Sequence, residues 1–240
     1  MVATSPRGRV QRVGHAAVDT VRWTAGAVAA VVLVVGCAIT AADAGAAGAG
    51  AGADAGAAGA GAGAHAGVGP GSPAAFYRTP GPLPQEPPGA IVRSVVIPSA
   101  GLLPGGATAY RVLYHSQSIA GADIAVSGVV VVPGGTPPPG GFPIVAWAHG
   151  TTGLSDQCAP SLGGFASIPS LTAFLDRGMI VAATDYEGLG TPGIHPYLVG
   201  QSEAQSVLDS ARAARNLAGV TASNQVAVVG YSQGGQAALF

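Results

Sequence analysis

Val226-Ala227-Val228-Val229-Gly230-Tyr231-Ser232-Gln233-Gly234-Gly235-Gln236-Ala237-Ala238-Leu239 is the stretch that decides the fold. Its first four residues are apolar and rich in valine, which suits a strand buried on both faces. Gln236 to Leu239 favours helix. Between them Gly230-Tyr231-Ser232-Gln233-Gly234 fits the pattern G-x-S-x-G. That pattern belongs to a sharp strand-to-helix turn, where a strained serine projects its hydroxyl and small neighbours let the backbones approach. A short pattern of this kind also arises in a glycine-rich turn with an incidental serine. Here the strand before it and the helix formers after it supply the required setting. Ser232 is therefore the candidate nucleophile.

Upstream, the same logic finds the rest of a sheet. Ile91–Ile97, Ala109–His115 and Ala125–Val132 are β-rich runs, and Pro143–Ala148, Met179–Thr184 and Val226–Val229 are short apolar ones. Ser170–Arg177 and Glu203–Leu217 read as helices. In the second, Val207, Ala211, Ala214 and Leu217 recur at helical spacing, with Arg212 and Arg215 facing outward. Strands in series, followed by strands alternating with helices, predict an α/β sheet that starts antiparallel and becomes parallel. The run to Ala148 ends in His149-Gly150-Thr151-Thr152-Gly153. In an α/β hydrolase the loop after the third strand supplies one oxyanion N–H and the residue after the nucleophile supplies the other. Thr151 and Gln233 are the expected donors, with Gly150 permitting close approach. His149 precedes the nucleophile, so it is expected to order that loop rather than act as base.

The first third of the chain reads differently. Arg7, Arg9, Arg12 and Arg22 precede an uncharged run from Trp23 to Thr40, the layout of an export signal. The run is marginal for a membrane span, which needs about 20 apolar residues, so an uncleaved anchor stays open. Val34-Val35-Gly36-Cys37 resembles a lipobox that would leave Cys37 lipidated and attach the N-terminus to a membrane. The small residues around Ala42 suit ordinary signal peptidase instead, and both readings remain. Residues 1–42 are thus expected to be an export signal. Residues 43–89 are expected to be a linker, first Ala/Gly-rich and then Pro-rich, and 90–240 the folded part. Location in the envelope or outside a bacterial cell follows; all ten basic residues are arginine, which with the abundant Ala and Gly hints at a GC-rich bacterial genome.

Several functions are excluded. A formal net charge of −1 leaves no electrostatic footprint for nucleic acid. Gly188-Leu189-Gly190-Thr191-Pro192-Gly193 formally satisfies a dinucleotide fingerprint, but Pro192 blocks the helix that must open there. No spacing of His, Cys and acids suits zinc or iron, so no cofactor is expected. Asp185 and Glu187 follow a strand among turn residues, where they are expected to fix the loop. His195 is expected to be held by local hydrogen bonds.

From about Tyr110 to Phe240 the chain resembles the secretory lipase family of the α/β hydrolases. The resemblance is carried by Trp147–Gly153, Cys158-Ala159-Pro160-Ser161, Asp185–Gly190, the helix around Ser202–Asn216 and the elbow Gly230–Gly235. It implies Ser232 as nucleophile, lipid or small carboxylic esters such as acylglycerols as substrate, and a disulfide from Cys158 to a cysteine in the C-terminal half. In this fold the triad follows the order Ser, acid, His. Only eight residues follow Ser232 and none is Asp, Glu or His. The expectation is an α/β-hydrolase fold truncated after the nucleophile elbow, with an open sheet edge and an inactive fragment. A non-catalytic envelope protein and an acyltransferase on the same fold are the competing readings.

Overall fold

The apolar runs form strands, β1 (Val32–Val34), β2 (Ile91–Ile97), β3 (Thr108–Gln117), β4 (Asp123–Val132), β5 (Phe142–Ala148), β6 (Ile180–Thr184) and β7 (Ala222–Gly230). The helices are α1 (Pro73–Phe76), α2 (Leu171–Leu175), α3 (Gly200–Asn216) and α4 (Gln233–Ala237). The structure, a computed structural model, describes residues 32–34, 73–99 and 101–240. The segment expected to be an export signal, apart from β1, and with it Cys37 and the expected Ala/Gly-rich linker, lie outside the described residues.

The strands make one sheet in the order β1-β7-β5-β6-β4-β3-β2. β2, β3 and β4 run antiparallel, β3 and β4 pairing from Thr108↔Val132 to Gln117↔Asp123. β4 meets β6 antiparallel, after which β6, β5 and β7 are parallel neighbours. Parallel neighbours need crossovers. The segment containing α2 links β5 to β6, and α3 links β6 to β7. The sheet therefore changes from antiparallel to parallel as the order of runs predicts.

Alternation along β5 explains why its run is apolar throughout. Ile144, Ala146 and Ala148 face a core shared with Val207, Ala211, Ala214 and Leu217 of α3. Val145 and Trp147 face the opposite core, with Leu171 and Leu175 of α2. A strand between two helical layers has no solvent side, so every second residue cannot be polar. The expected stripe on α3 is buried and Arg212 and Arg215 are exposed.

Two expectations need correction. The Pro-rich stretch lacks helix and strand after α1, but packing begins before residue 90. Phe76 and Tyr77 are buried against Leu113 and Ala125. The Tyr77 hydroxyl hydrogen bonds to Ser161 Oγ at 2.8 Å. Two adjacent aromatics bury enough apolar surface to anchor a segment that composition alone marks as linker. The β7 edge, expected to be open, carries β1 in parallel register, Val32↔Val228 to Val34↔Gly230. Three β-prone residues suffice to pair that short length of backbone.

Candidate active site

The turn from β7 into α4 is tight because two glycines permit it. A Cβ on Gly230 would fall 1.9 Å from Gly234 O, and one on Gly234 would fall 1.9 Å from Ala148 O. No side chain fits at either place. Tyr231 N donates to Ala148 O at 3.2 Å, which fastens the turn to the end of β5. Ser232 is left at φ 54, ψ −118, a region that non-glycine residues rarely occupy and that costs roughly 1–3 kcal/mol. The serine is exposed, and no described residue hydrogen bonds to its Oγ. This is the strained, outward-facing hydroxyl that the sequence pattern requires.

The loop after β5 lies against the turn. A Cβ on Gly150 would be 3.4 Å from Ser232 Cβ and 3.0 Å from the Tyr231 ring. His149 sits between two carbonyl oxygens, with Nδ1 2.6 Å from Gly150 O and Nε2 3.3 Å from Asp185 O. With Gly150 C=O turned toward that ring, planarity of the trans peptide points Thr151 N–H the opposite way. Thr151 Oγ1 is 3.0 Å from Tyr197 OH. Gln233 opens α4, so its N–H has no acceptor within the helix. Its side chain is buried, Nε2 lying 2.9 Å from His195 Nε2 and 2.7 Å from Glu203 Oε1.

Between the two histidines lies the fully buried Tyr186. Its ring is 4.3 Å from that of His149 and stacks on His195 at 5.9 Å, and its hydroxyl donates to His149 O at 2.9 Å. Burial pushes its phenol well above the ordinary value, and the Glu203 carboxylate adds to that. Below this stack, Asp185 ties three segments together. Oδ1 accepts Ser161 N at 2.8 Å, and Oδ2 accepts Ser127 Oγ at 2.6 Å together with Ser161 Oγ. Burial raises its pKa, and the serine hydrogen bonds oppose the rise.

Ser232, Gln233 and Gly150 are thus brought together, with Thr151 on the same loop. His149 and His195 are both engaged in local hydrogen bonds, as expected. Asp185 does more than fix its own loop, while Glu187 accepts Ser202 Oγ at 2.5 Å from the start of α3. Cys158 is a free, partly exposed thiol whose pKa is lowered by hydrogen bonding from Ser155. Sequence reasoning missed Glu203. The signal was present, because Glu203 continues the buried stripe Val207, Ala211 and Ala214 one turn earlier, and an acid on an apolar stripe demands a partner.

An elbow serine at the end of a parallel strand, facing the loop of the neighbouring strand on a sheet of this order, is the arrangement of an α/β hydrolase. A family model described as Secretory lipase matches residues 166–240. A Mycobacterium tuberculosis protein named "Probable inactive lipase" is 30% identical over 180 residues, covering 69% of this chain. The esterase LipA of Xanthomonas oryzae, described as rice cell wall degrading, superposes with TM-score 0.53 at 28% identity over 63% of this chain. Candida antarctica lipase A, in its closed state, shares the fold with TM-score 0.54 at 21% identity over 70% of this chain. The chain spans 40% of the mycobacterial relative, 44% of the Xanthomonas esterase and 40% of the Candida lipase. Among the described residues no helix is long and apolar enough to cross a membrane.

Proposed function

We propose that this chain carries the nucleophile half of an exported serine carboxylic-ester hydrolase acting on acylglycerols or similar lipid esters. The observation that carries the reading is the strained, exposed Ser232 beside two candidate oxyanion donors, the N–H groups of Gln233 and Thr151. In the reaction Ser232 Oγ attacks the ester carbonyl and gives its proton to a base. The tetrahedral oxyanion collapses, expelling the alcohol, which takes up a proton. Water then cleaves the acyl-serine, releasing the acid and restoring the hydroxyl. Each oxyanion donor is worth on the order of 10²–10³ in rate.

The base is the step these residues do not supply. Both histidines beside the elbow are committed to other groups, and no described side chain hydrogen bonds to Ser232 Oγ. An unassisted serine hydroxyl is a weak nucleophile. The 240-residue chain is therefore expected to hydrolyse p-nitrophenyl butyrate no faster than its Ser232→Ala variant. It should still react with a fluorophosphonate selectively at Ser232, slowly and faster as hydroxide rises, because the oxyanion site remains. Mass spectrometry reads the modified residue. Labelling spread evenly over exposed serines removes the nucleophile reading, and turnover abolished by Ser232→Ala removes the claim that the base is absent.

A further inference from the structure

Glu203 is fully buried four residues into α3 and has no cationic partner among the described residues. Its Oε1 accepts Leu198 N at 2.9 Å and Gln233 Nε2 at 2.7 Å. Its Oε2 is buried with no hydrogen-bond partner among the described residues. Leaving a carboxylate oxygen dry and unmet is costly. An acid held in so dry a place needs a reason.

Gln233 supplies it. Its amide nitrogen has two hydrogens, and the second points to His195 Nε2 at 2.9 Å. The other ring nitrogen, His195 Nδ1, lies 2.8 Å from Glu187 O. A carbonyl oxygen only accepts, so Nδ1 carries the ring proton and Nε2 offers its lone pair. Every proton in the series from Glu187 through His195 and Gln233 to Glu203 is then assigned without conflict.

We propose that Glu203 and His195 are positioning residues that clamp the side chain of Gln233, the oxyanion donor, Glu203 Oε1 and His195 Nε2 each accepting one of its two amide hydrogens. The proposal rests on the reading of Gln233 as that donor. Protonating His195 sets its Nε2–H against the Gln233 amide hydrogens. Turning the amide to present Oε1 sets that oxygen against Glu203 Oε1, unless Glu203 also takes a proton. The clamp therefore changes state as a unit. Because Gln233 is the first residue of α4, freeing its side chain loosens the N–H next to Ser232. Other titratable groups facing the clamp are Tyr186, stacked on His195, Tyr197 with its ring 6.2 Å from that of His195, and Glu187, bound to Ser202.

The first test is long-range ¹H–¹⁵N spectroscopy of the histidine rings in the 240-residue chain. The neutral His195 ring is expected as the Nδ1–H tautomer; an Nε2–H tautomer overturns the clamp. The second test is the rate of fluorophosphonate labelling at Ser232, corrected for its hydroxide dependence. That rate should fall roughly tenfold through the pH interval in which the His195 signals titrate, less than loss of a whole donor. His195→Gln keeps an acceptor for Gln233, so it should hold the rate within about threefold and lose the pH step. His195→Leu should label roughly tenfold more slowly while still folded, whereas Glu203→Gln, whose carbonyl can still accept from Gln233, should hold the rate within about threefold. A folded His195→Leu variant that labels like wild type overturns the proposal. If Glu203→Gln does not fold, the ring spectra and the two His195 variants decide. Absence of selective Ser232 labelling in wild type sinks the oxyanion reading itself, whereas the ring tautomer still reports on the clamp.

Discussion

Asp185, just after β6, and Glu203, near the start of α3, are both carboxylates closed off from water, yet their surroundings treat them in opposite ways. Asp185 has both oxygens met, by Ser127 Oγ, Ser161 N and Ser161 Oγ. Glu203 has one oxygen met twice and the other not at all. The first acid joins three separate segments and leaves nothing unsatisfied. The second leaves one oxygen stranded while the other holds Gln233, the sequence neighbour of a serine at φ 54. Strain lies on both sides, since Tyr186 next to Asp185 stands at φ 72, but of the two acids only Glu203 leaves an oxygen unmet.

The largest effect is expected from breaking the satisfied side. Asp185→Ala strands the Ser161 N–H in the interior, at about 1–3 kcal/mol for an unmet group. It also leaves the Ser127 and Ser161 hydroxyls only their contacts with Leu189 O at 3.3 Å and the Tyr77 hydroxyl at 2.8 Å. Such costs overlap, so a loss of about 3–5 kcal/mol in unfolding free energy is expected from urea titration. Glu203→Gln should cost under about 1.5 kcal/mol in the same measurement, because the Gln carbonyl can still accept from Leu198 N and Gln233 Nε2. Equal losses in the two variants would erase the contrast between the two acids.

The contrast also explains which parts of the molecule were legible in the sequence. The strands announced themselves because burial on both faces forces unbroken apolar runs such as Ile144 to Ala148. The elbow was legible because steric demand restricts positions 230 and 234 to glycine. Asp185 and Glu187 could be placed in a loop, but their partners Ser127, Ser161 and Ser202 lie 58, 24 and 15 residues away. Nothing local encodes such pairings. Phe76 and Tyr77 were lost in a proline-rich setting, since anchoring depends on the groove they fill. The pairing of Val32–Val34 with β7 was equally hidden, because three apolar residues inside a longer apolar run look the same wherever they dock.

A smaller effect tests whether strain really sits at the elbow. Ser232→Gly puts a residue without Cβ at φ 54 and should release part of the roughly 1–3 kcal/mol stored there. Glycine returns some of that through greater freedom in the unfolded chain. A net gain of about 1 kcal/mol is expected, seen as a higher Tm by calorimetry. Gly234→Ala, on the same turn, must do the reverse, since its Cβ would meet Ala148 O at 1.9 Å. A Ser232→Gly variant less stable than wild type would show that the serine conformation carries no strain.

The subtlest effect is one of slope and concerns Asp185 alone. Burial raises its folded pKa above the ordinary 3.8. A raised acid contributes its full stability below the unfolded value and loses it as pH rises through the folded value. Asn at 185 cannot ionise, yet its carbonyl can still accept Ser161 N–H, and its NH₂ can donate to the Ser127 and Ser161 hydroxyls, which also accept. Asp185→Asn should therefore fold. Its stability relative to wild type should improve steadily as pH rises from below 4 toward neutrality, then level off once Asp185 is ionised in both states. Paired thermal melts across that range read the difference directly. A gap that widens against Asn with rising pH would mean that the serine donors outweigh burial, and Asp185 would then be held as a stable anion.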